Sequence, residues 1–479
     1  MIVGTASQGA AFAEERSSAQ SGTPPVKIQA TQQQGSSAPS SSEADAELSG
    51  NLTAGIEKIT KKILLDEIEL EEYNLIFRTQ AARQGRWKGW RYFGSQETNL
   101  ALSGAGSIVS VHERGEHIHD NHFARNSGDV LGNGNAMLGV IGQIVGGTGS
   151  GVELGINQFH AMQARANGFD PRQSRDVALH LLSSIDTKLA ARARLVERQP
   201  AVDAETAELQ RLEGAVLEDF RDLSIAEFER FHSSARKTLA QQNSFYLLDI
   251  LKNSIGTTGS FYLAYGSISH ARALNFPGGL LATISGAFIV ANPVLSRLVA
   301  KAVSKSDKRE LAREGMPPVY ENDEHLEKDY TRLLSFTENH QLRQRHEFNS
   351  LMARLEAYDA SHKYCLDTIE RNLKDQIRGN RTAYQNMGAG FLVGSTKIAS
   401  NVIITVAGAK YPRRGAQTNA LLFTGAVVYL PGATYGLLDN IRIQVGSEIR
   451  RHRLSKQHQL SGQIVSARLQ QLKQIKEKI

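Results

Sequence analysis

Cysteine is almost missing from this chain. Cys365 stands alone, so no intrachain disulfide and no thiolate metal cluster can form. Its place on an apolar helical stripe marks it as a small core side chain rather than a reactive thiol. Proline is scarce as well. Of 11 prolines, Pro24, Pro25 and Pro39 fall near the N-terminus, which leaves long tracts with nothing to interrupt a helix. A strong charge imbalance is also lacking. A net +6 over 479 residues, with acids and bases interleaved, describes solvated helix faces rather than a nucleic-acid footprint, and at most a mild attraction to anionic lipid headgroups. Mean hydropathy is −0.32, which excludes a chain that is mostly membrane. Any membrane part is a minority set between polar stretches.

Catalytic signatures are equally thin. There is no Gly-x-Ser-x-Gly elbow. In Gly390-Phe391-Leu392-Val393-Gly394-Ser395-Thr396-Lys397 the lysine follows the hydroxyl residues instead of preceding them, so it is not a phosphate loop. The stretch His112–His122 holds four histidines and three carboxylates, donors that zinc uses. His112-Glu113 is followed by His117 one position too late for a zinc-binding helix face. The expectation is a solvated polar link without a metal, with no cofactor and no catalytic residues.

What is there is a rhythm. Residues 1–50 are poor in large apolar side chains and are expected to be disordered, with 1–13 resembling the end of a signal peptide. From 51 to 93 a charged helix carries Ile56, Ile59, Ile63, Leu70 and Phe77 in heptad steps. It ends in Trp87-Lys88-Gly89-Trp90-Arg91-Tyr92-Phe93, a mixture suited to a membrane–water boundary or to a packed aromatic corner. An apolar hairpin follows (94–156), then a charged helical region with a break at Pro200 (157–253) and a second apolar hairpin (254–301). A third heptad helix (302–382) carries Phe348, Leu351, Leu355, Tyr358, Cys365, Ile369, Leu373 and Ile377. It precedes a third hairpin (383–440) and a last heptad helix (441–479) with Val465, Leu469, Leu472 and Ile479. The second limbs of the hairpins resemble one another. Asn135-Ala136-Met137-Leu138, Gly279-Leu280-Leu281 and Asn419-Ala420-Leu421-Leu422 each lead to a small residue and then to Gly146-Gly147, Pro293 or Pro431. That is a degenerate internal repeat.

The fold class expected is mainly α, with long heptad helices alternating with three small-residue hairpins that cross a membrane. Gly278–Ala300, Met387–Ala409 and Ala420–Asp439 are long enough to span a ~30 Å hydrocarbon core. Small residues recur every fourth position, which lets helix backbones touch in lipid. The helix-packing residues expected are Gly142, Gly147, Gly151, Gly155, Gly278, Ala282, Gly286, Gly390, Gly394, Gly425, Gly432 and Gly436. Arg272, Lys410, Arg413 and Arg414 in short links would place the hairpin tips in the cytoplasm and the heptad helices outside, in a bacterial-type inner membrane. The partners expected are the bilayer and further copies of the chain, with no nucleic acid and no identifiable small-molecule substrate. Three functions fit this pattern. They are a self-associating structural or interaction protein, a transporter or pore with Lys397, Arg297 and Asn401 along its path, and a soluble helical bundle, the last including a metal enzyme built on the His112–His122 stretch.

Overall fold

A computed structural model describes residues 41–81, 86–119, 128–198, 204–269, 271–313, 323–338, 347–412 and 415–479. Among these the chain is almost wholly helical and contains no strand. In order the helices are α1 (Ser41–Ala81), α2 (Arg86–His119), α3 (Gly128–Ala166), α4 (Pro171–Glu197), α5 (Ala204–Ile268), α6 (Asn275–Arg313), α7 (Asp323–Thr337), α8 (Glu347–Lys410), α9 (Gly415–Lys456) and α10 (Ser461–Lys478). Their ends follow local chemistry. After Ala166, Gly168 takes φ +81°, its N–H bonds to Arg165 O and the N–H of Phe169 reaches Ala164 O. This is the left-handed glycine termination of a helix. Pro171 then opens α4, where its missing N–H costs nothing.

Two assemblies share these helices. The first is a head made of α1, α4, the N-terminal half of α5, α7, the start of α8, the end of α6 and α10. Its core holds Ile63, Leu70, Phe77, Ile185, Val216, Leu217, Phe228 and Tyr358. A second cluster packs Val465, Leu472 and Ile475 of α10 against Ile68 and Leu75 of α1. Two carboxylates buried in the head, Glu213 and Asp307, are paired. Glu213 accepts hydrogen bonds from Arg354 Nε at 2.7 Å, Arg192 Nη2 at 3.1 Å and Tyr358 Oη at 3.1 Å. Burial alone would raise the Glu213 pKa, but the two guanidiniums outweigh it and hold the carboxyl below its ordinary range. Asp307 is treated alike by His232 (3.1 Å) and Arg236 (2.5 Å), and is likewise held low against burial.

The second assembly is a closed ring. The main contacts run α2–α3–α5–α6–α8–α9 and return to α2. Three hairpins thus make a six-helix barrel, and the described helix ends that border their tips lie remote from the head. The apolar cores of α6, α8 and α9 are long and apolar enough to cross a membrane. Gly146, Pro293 and Pro431 fall at similar depths in the second helix of each hairpin.

Several expectations change. Residues 41–50 belong to α1 rather than to a disordered tail; residues 1–40 lie outside the described set. The charged region 157–253 is two main helices, and α5 continues through the apolar segment to Ile268 without a boundary. The third heptad helix is α7 plus α8, with 339–346 outside the described residues. The stripe on α8 does not form a coiled-coil seam along its length. Leu351, Leu355 and Tyr358 enter the head core, but Leu373 and Ile377 are 57% and 61% exposed. The reason is that α8 leaves the head in this stretch on its way to the ring. His112–His119 is not a link but the last turns of α2, and His122 lies outside the described residues.

Candidate functional site: the polar chamber

The ring helices are amphipathic with the usual sides exchanged. On α3 the buried positions include Gln143, Gly146, Ser150, Glu153 and Asn157, which repeat at alternating steps of three and four and so share one helix face. Ile141, Ile144, Val152 and Phe159 lie on the exposed side. On α5 the inward residues are Gln242, Asp249, Lys252, Asn253 and Gly256, whereas Leu247, Leu251, Phe261 and Tyr265 face out. The other four helices repeat the scheme, with Asn99, Asn292, Asn401 and Asn440 inside and Ile108, Leu298, Val402 and Leu438 outside.

The polar faces enclose a chamber of about 530 Å³ that touches all six helices. This volume falls within the range of small-molecule sites. Toward the hairpin tips it is lined by Glu113, Arg114, Arg272, Asn275, Thr418 and Asn419. Arg114 Nη1 donates to Asn419 Oδ1 at 2.9 Å and lies 3.8 Å from Glu113. Arg272 sits in a single turn of 3₁₀ helix before α6 and reaches over Gly415; a Cβ there would come within 2.9 Å of its Nη1. Deeper lie Gln143, Gly256, Ser260, Lys397, Asn401 and Tyr429. Lys397 is 13 residues before the end of α8, which places it roughly 20 Å below the tip.

Below Lys397 the interior closes. Asp249 is fully buried and accepts hydrogen bonds from Ser150 Oγ, Lys252 Nζ (2.5 Å), Gln96 Nε2 (3.1 Å) and Asn253 Nδ2 (3.2 Å), with Tyr92 Oη at 3.5 Å. Asn99 Nδ2 donates to Asn253 Oδ1 at 3.3 Å. Gly146 makes this convergence possible, since a Cβ there would stand 2.6 Å from Asn99 Nδ2. Next come the Glu153–Arg91 pair at 2.8 Å and the mutually edge-on rings of Tyr92, Phe245 and Tyr246, which shut the barrel toward the head. The chamber therefore reaches toward the tips and ends blind in a satisfied polar plug.

The twelve small residues singled out in the sequence distribute unevenly. Gly142 lies against Asn99 O (3.1 Å from a built Cβ), Gly147 against Asn253, Gly278 against Gly259 O and Gly286 against Ile398. Ala282 N stands 2.9 Å from a Cβ built on Gly259. Gly394 abuts Val290, Gly425 abuts Ser400 O, Gly432 abuts Thr396 and Gly436 abuts Val393. Gly390 is buried on α8. Gly151 and Gly155 have no atom within 4 Å of where a Cβ would stand, so they are not packing residues. Steps of four overshoot a 3.6-residue turn by about 40° each, and two such steps carry the stripe from Gly147 off the contact. Gly149, with Ser95 in its place, and Gly146 make the closer approaches.

Of the three polar residues expected along a path, Lys397 and Asn401 line the chamber. Arg297 does not. It lies over the Tyr384 ring at 5.7 Å and contacts Met387 Sδ. Neither the Asp249 plug nor Gln143 and Ser260 was marked by spacing, because each is an ordinary polar residue until the ring closes around it, and Arg272 was singled out only as a basic residue of a link. No group of three or more His, Cys, Asp or Glu able to hold a metal occurs among the described residues. Comparison with protein-family models, curated proteins and solved structures gives no match.

Proposed function

We propose that this chain is an integral membrane protein that takes up a small polar solute in the six-helix ring and passes it across the bilayer. One observation carries the reading. A 530 Å³ polar chamber is enclosed by helices whose large apolar side chains face outward. In water that arrangement would expose a broad greasy belt at considerable cost. In lipid it is the expected polarity, since the outer face meets hydrocarbon and the polar groups find one another inside. The blind end fits a carrier that opens to one side at a time better than it fits a continuous pore. The same geometry supports a transporter over a purely structural protein, because a scaffold needs no hollow polar interior.

The single cysteine makes the test direct. In a Cys365→Ser background, new cysteines are placed in the chamber (Ser107→Cys, Ser260→Cys) and on the belt (Ile284→Cys, Val402→Cys). Sealed vesicles are then treated with a membrane-impermeant charged maleimide. The chamber positions should label from one side only and the belt positions from neither. Equal labelling of belt and chamber would show a water-soluble bundle and overturn the reading.

A further inference from the structure

The charges lining the chamber do not cancel. Glu113 and Arg114 stand together at 3.8 Å. Arg272 and Lys397 remain, and among the described residues neither has a carboxylate within ion-pair distance. Lys397 Nζ reaches the hydroxyl of Ser285 at 3.4 Å, a neutral partner. A buried ammonium in low dielectric is costly unless an anion stands beside it. The second feature is an acceptor. Gln143 is 6% exposed and its Oε1 has no hydrogen-bond partner. Both groups line the chamber, and Gln143 closes with Ser285 on Gly256, where a built Cβ would lie 2.8 Å from Gln143 Oε1 and 2.9 Å from Ser285 Oγ. Gly256 thus lets the orphaned acceptor of Gln143 approach Ser285, the partner of Lys397, at one edge of the chamber.

We infer that the solute held in the chamber is a small hydroxycarboxylate, its carboxylate on Lys397 and its hydroxyl donating to Gln143. The inference rests on the carrier reading above. Arg272, nearer the tips, supplies a second positive charge on the route in and draws anions toward Lys397. A dicarboxylate lacking the hydroxyl satisfies the charge but leaves Gln143 Oε1 unpaired, a penalty paid by the whole complex. A neutral polyol or a diamine leaves Lys397 bare or repels it.

The experiment is protection of the full chain, as the Ser260→Cys variant in the Cys365→Ser background, from the charged maleimide. Sodium malate, succinate, glycerol and putrescine are the probes. Malate should slow labelling, succinate should need at least about tenfold more for the same protection, and glycerol and putrescine should do nothing. Adding Lys397→Gln should raise the malate requirement at least tenfold, while Lys397→Arg should retain most of the protection. Gln143→Met should erase the preference for malate over succinate and leave succinate protection unchanged. Protection by putrescine, equal protection by malate and succinate, or no protection by any probe in a protein whose Ser260→Cys still labels from one side would each overturn the inference. Those outcomes leave the carrier reading standing; loss of one-sided labelling itself would remove that reading instead.

Discussion

The head and the ring use one set of helices and opposite rules for what goes inside, and α5 passes through both. In its first half Val216, Leu217, Phe220 and Phe228 are buried, as in any water-soluble core. In its second half Asp249, Lys252 and Asn253 are buried, and Leu247, Leu251 and Phe261 are exposed. The backbone is the same regular helix throughout, so secondary structure does not tell the two regions apart. What changes is which side chains the surroundings accept. In the head, burial removes apolar surface from water and contributes about 25 cal/mol for each Å². On the membrane reading proposed above, that drive is absent from the outer face of the ring, and polar groups gather inward because hydrocarbon offers them no partner.

Four experiments test how far this contrast goes. The largest effect is expected at Glu213, where Glu213→Gln leaves Arg192 and Arg354 facing a neutral amide inside the head core. Removing one partner of a buried ionic cluster costs about 3–5 kcal/mol. Urea unfolding of the detergent-purified protein, followed by circular dichroism, should show the head transition lost or shifted by that amount. A change under about 1 kcal/mol would mean the cluster is not what holds the head. Next comes a matched pair. Leu217→Ala, at a fully buried position, should cost about 2–5 kcal/mol, whereas Leu251→Ala on the belt should cost little. Similar losses at both sites would erase the distinction between the two regions.

The third experiment asks about solvent directly. Ile284→Lys places a charge on the belt at a position 39% exposed. In lipid it should cost about 3 kcal/mol and reduce the membrane-inserted fraction, measured by alkaline carbonate extraction. A variant that stays fully soluble and folded without detergent contradicts the embedding. The smallest effect lies in the head. Burial, with Asp329 beside it, pushes the Asp219 carboxyl up to about 6 from 3.8. An acid whose folded pKa lies above its unfolded one favours the protonated form, so its contribution is present below about pH 4 and is lost as pH rises through 6. Asp219→Asn should therefore stabilise the head by no more than about 1 kcal/mol at pH 7.5, after allowance for its half-exposed setting, and should have no effect near pH 3.5. Melting curves at the two pH values decide it.

How much of this was legible in the sequence follows from what each feature depends on. The three apolar stretches Gly278–Ala300, Met387–Ala409 and Ala420–Asp439 fall on helices long and apolar enough to cross a membrane, since length and hydropathy are local properties. Lys397 and Asn401 were visible as polar residues set in such stretches, and both reach the chamber. Arg297 carried the same signal, yet its long side chain turns to Tyr384. Orientation around a helix depends on the neighbour, which composition does not contain. The polar limbs α2, α3 and α5 were harder still. Their hydropathy is diluted by residues such as Gln96, Ser150 and Asp249, which become intelligible only when three helices bring them within hydrogen-bond reach.

The uninterrupted course of α5 and α8 has a mechanical consequence. Neither contains proline, and at 65 and 64 residues each is a rod about 95 Å long. A tilt of 5° at the head end would swing the far end by about 8 Å. Asp249 of α5 and Lys397 of α8 sit partway along that throw, so a modest rearrangement among the head helices would be carried, without any further joint, to the plug and the chamber.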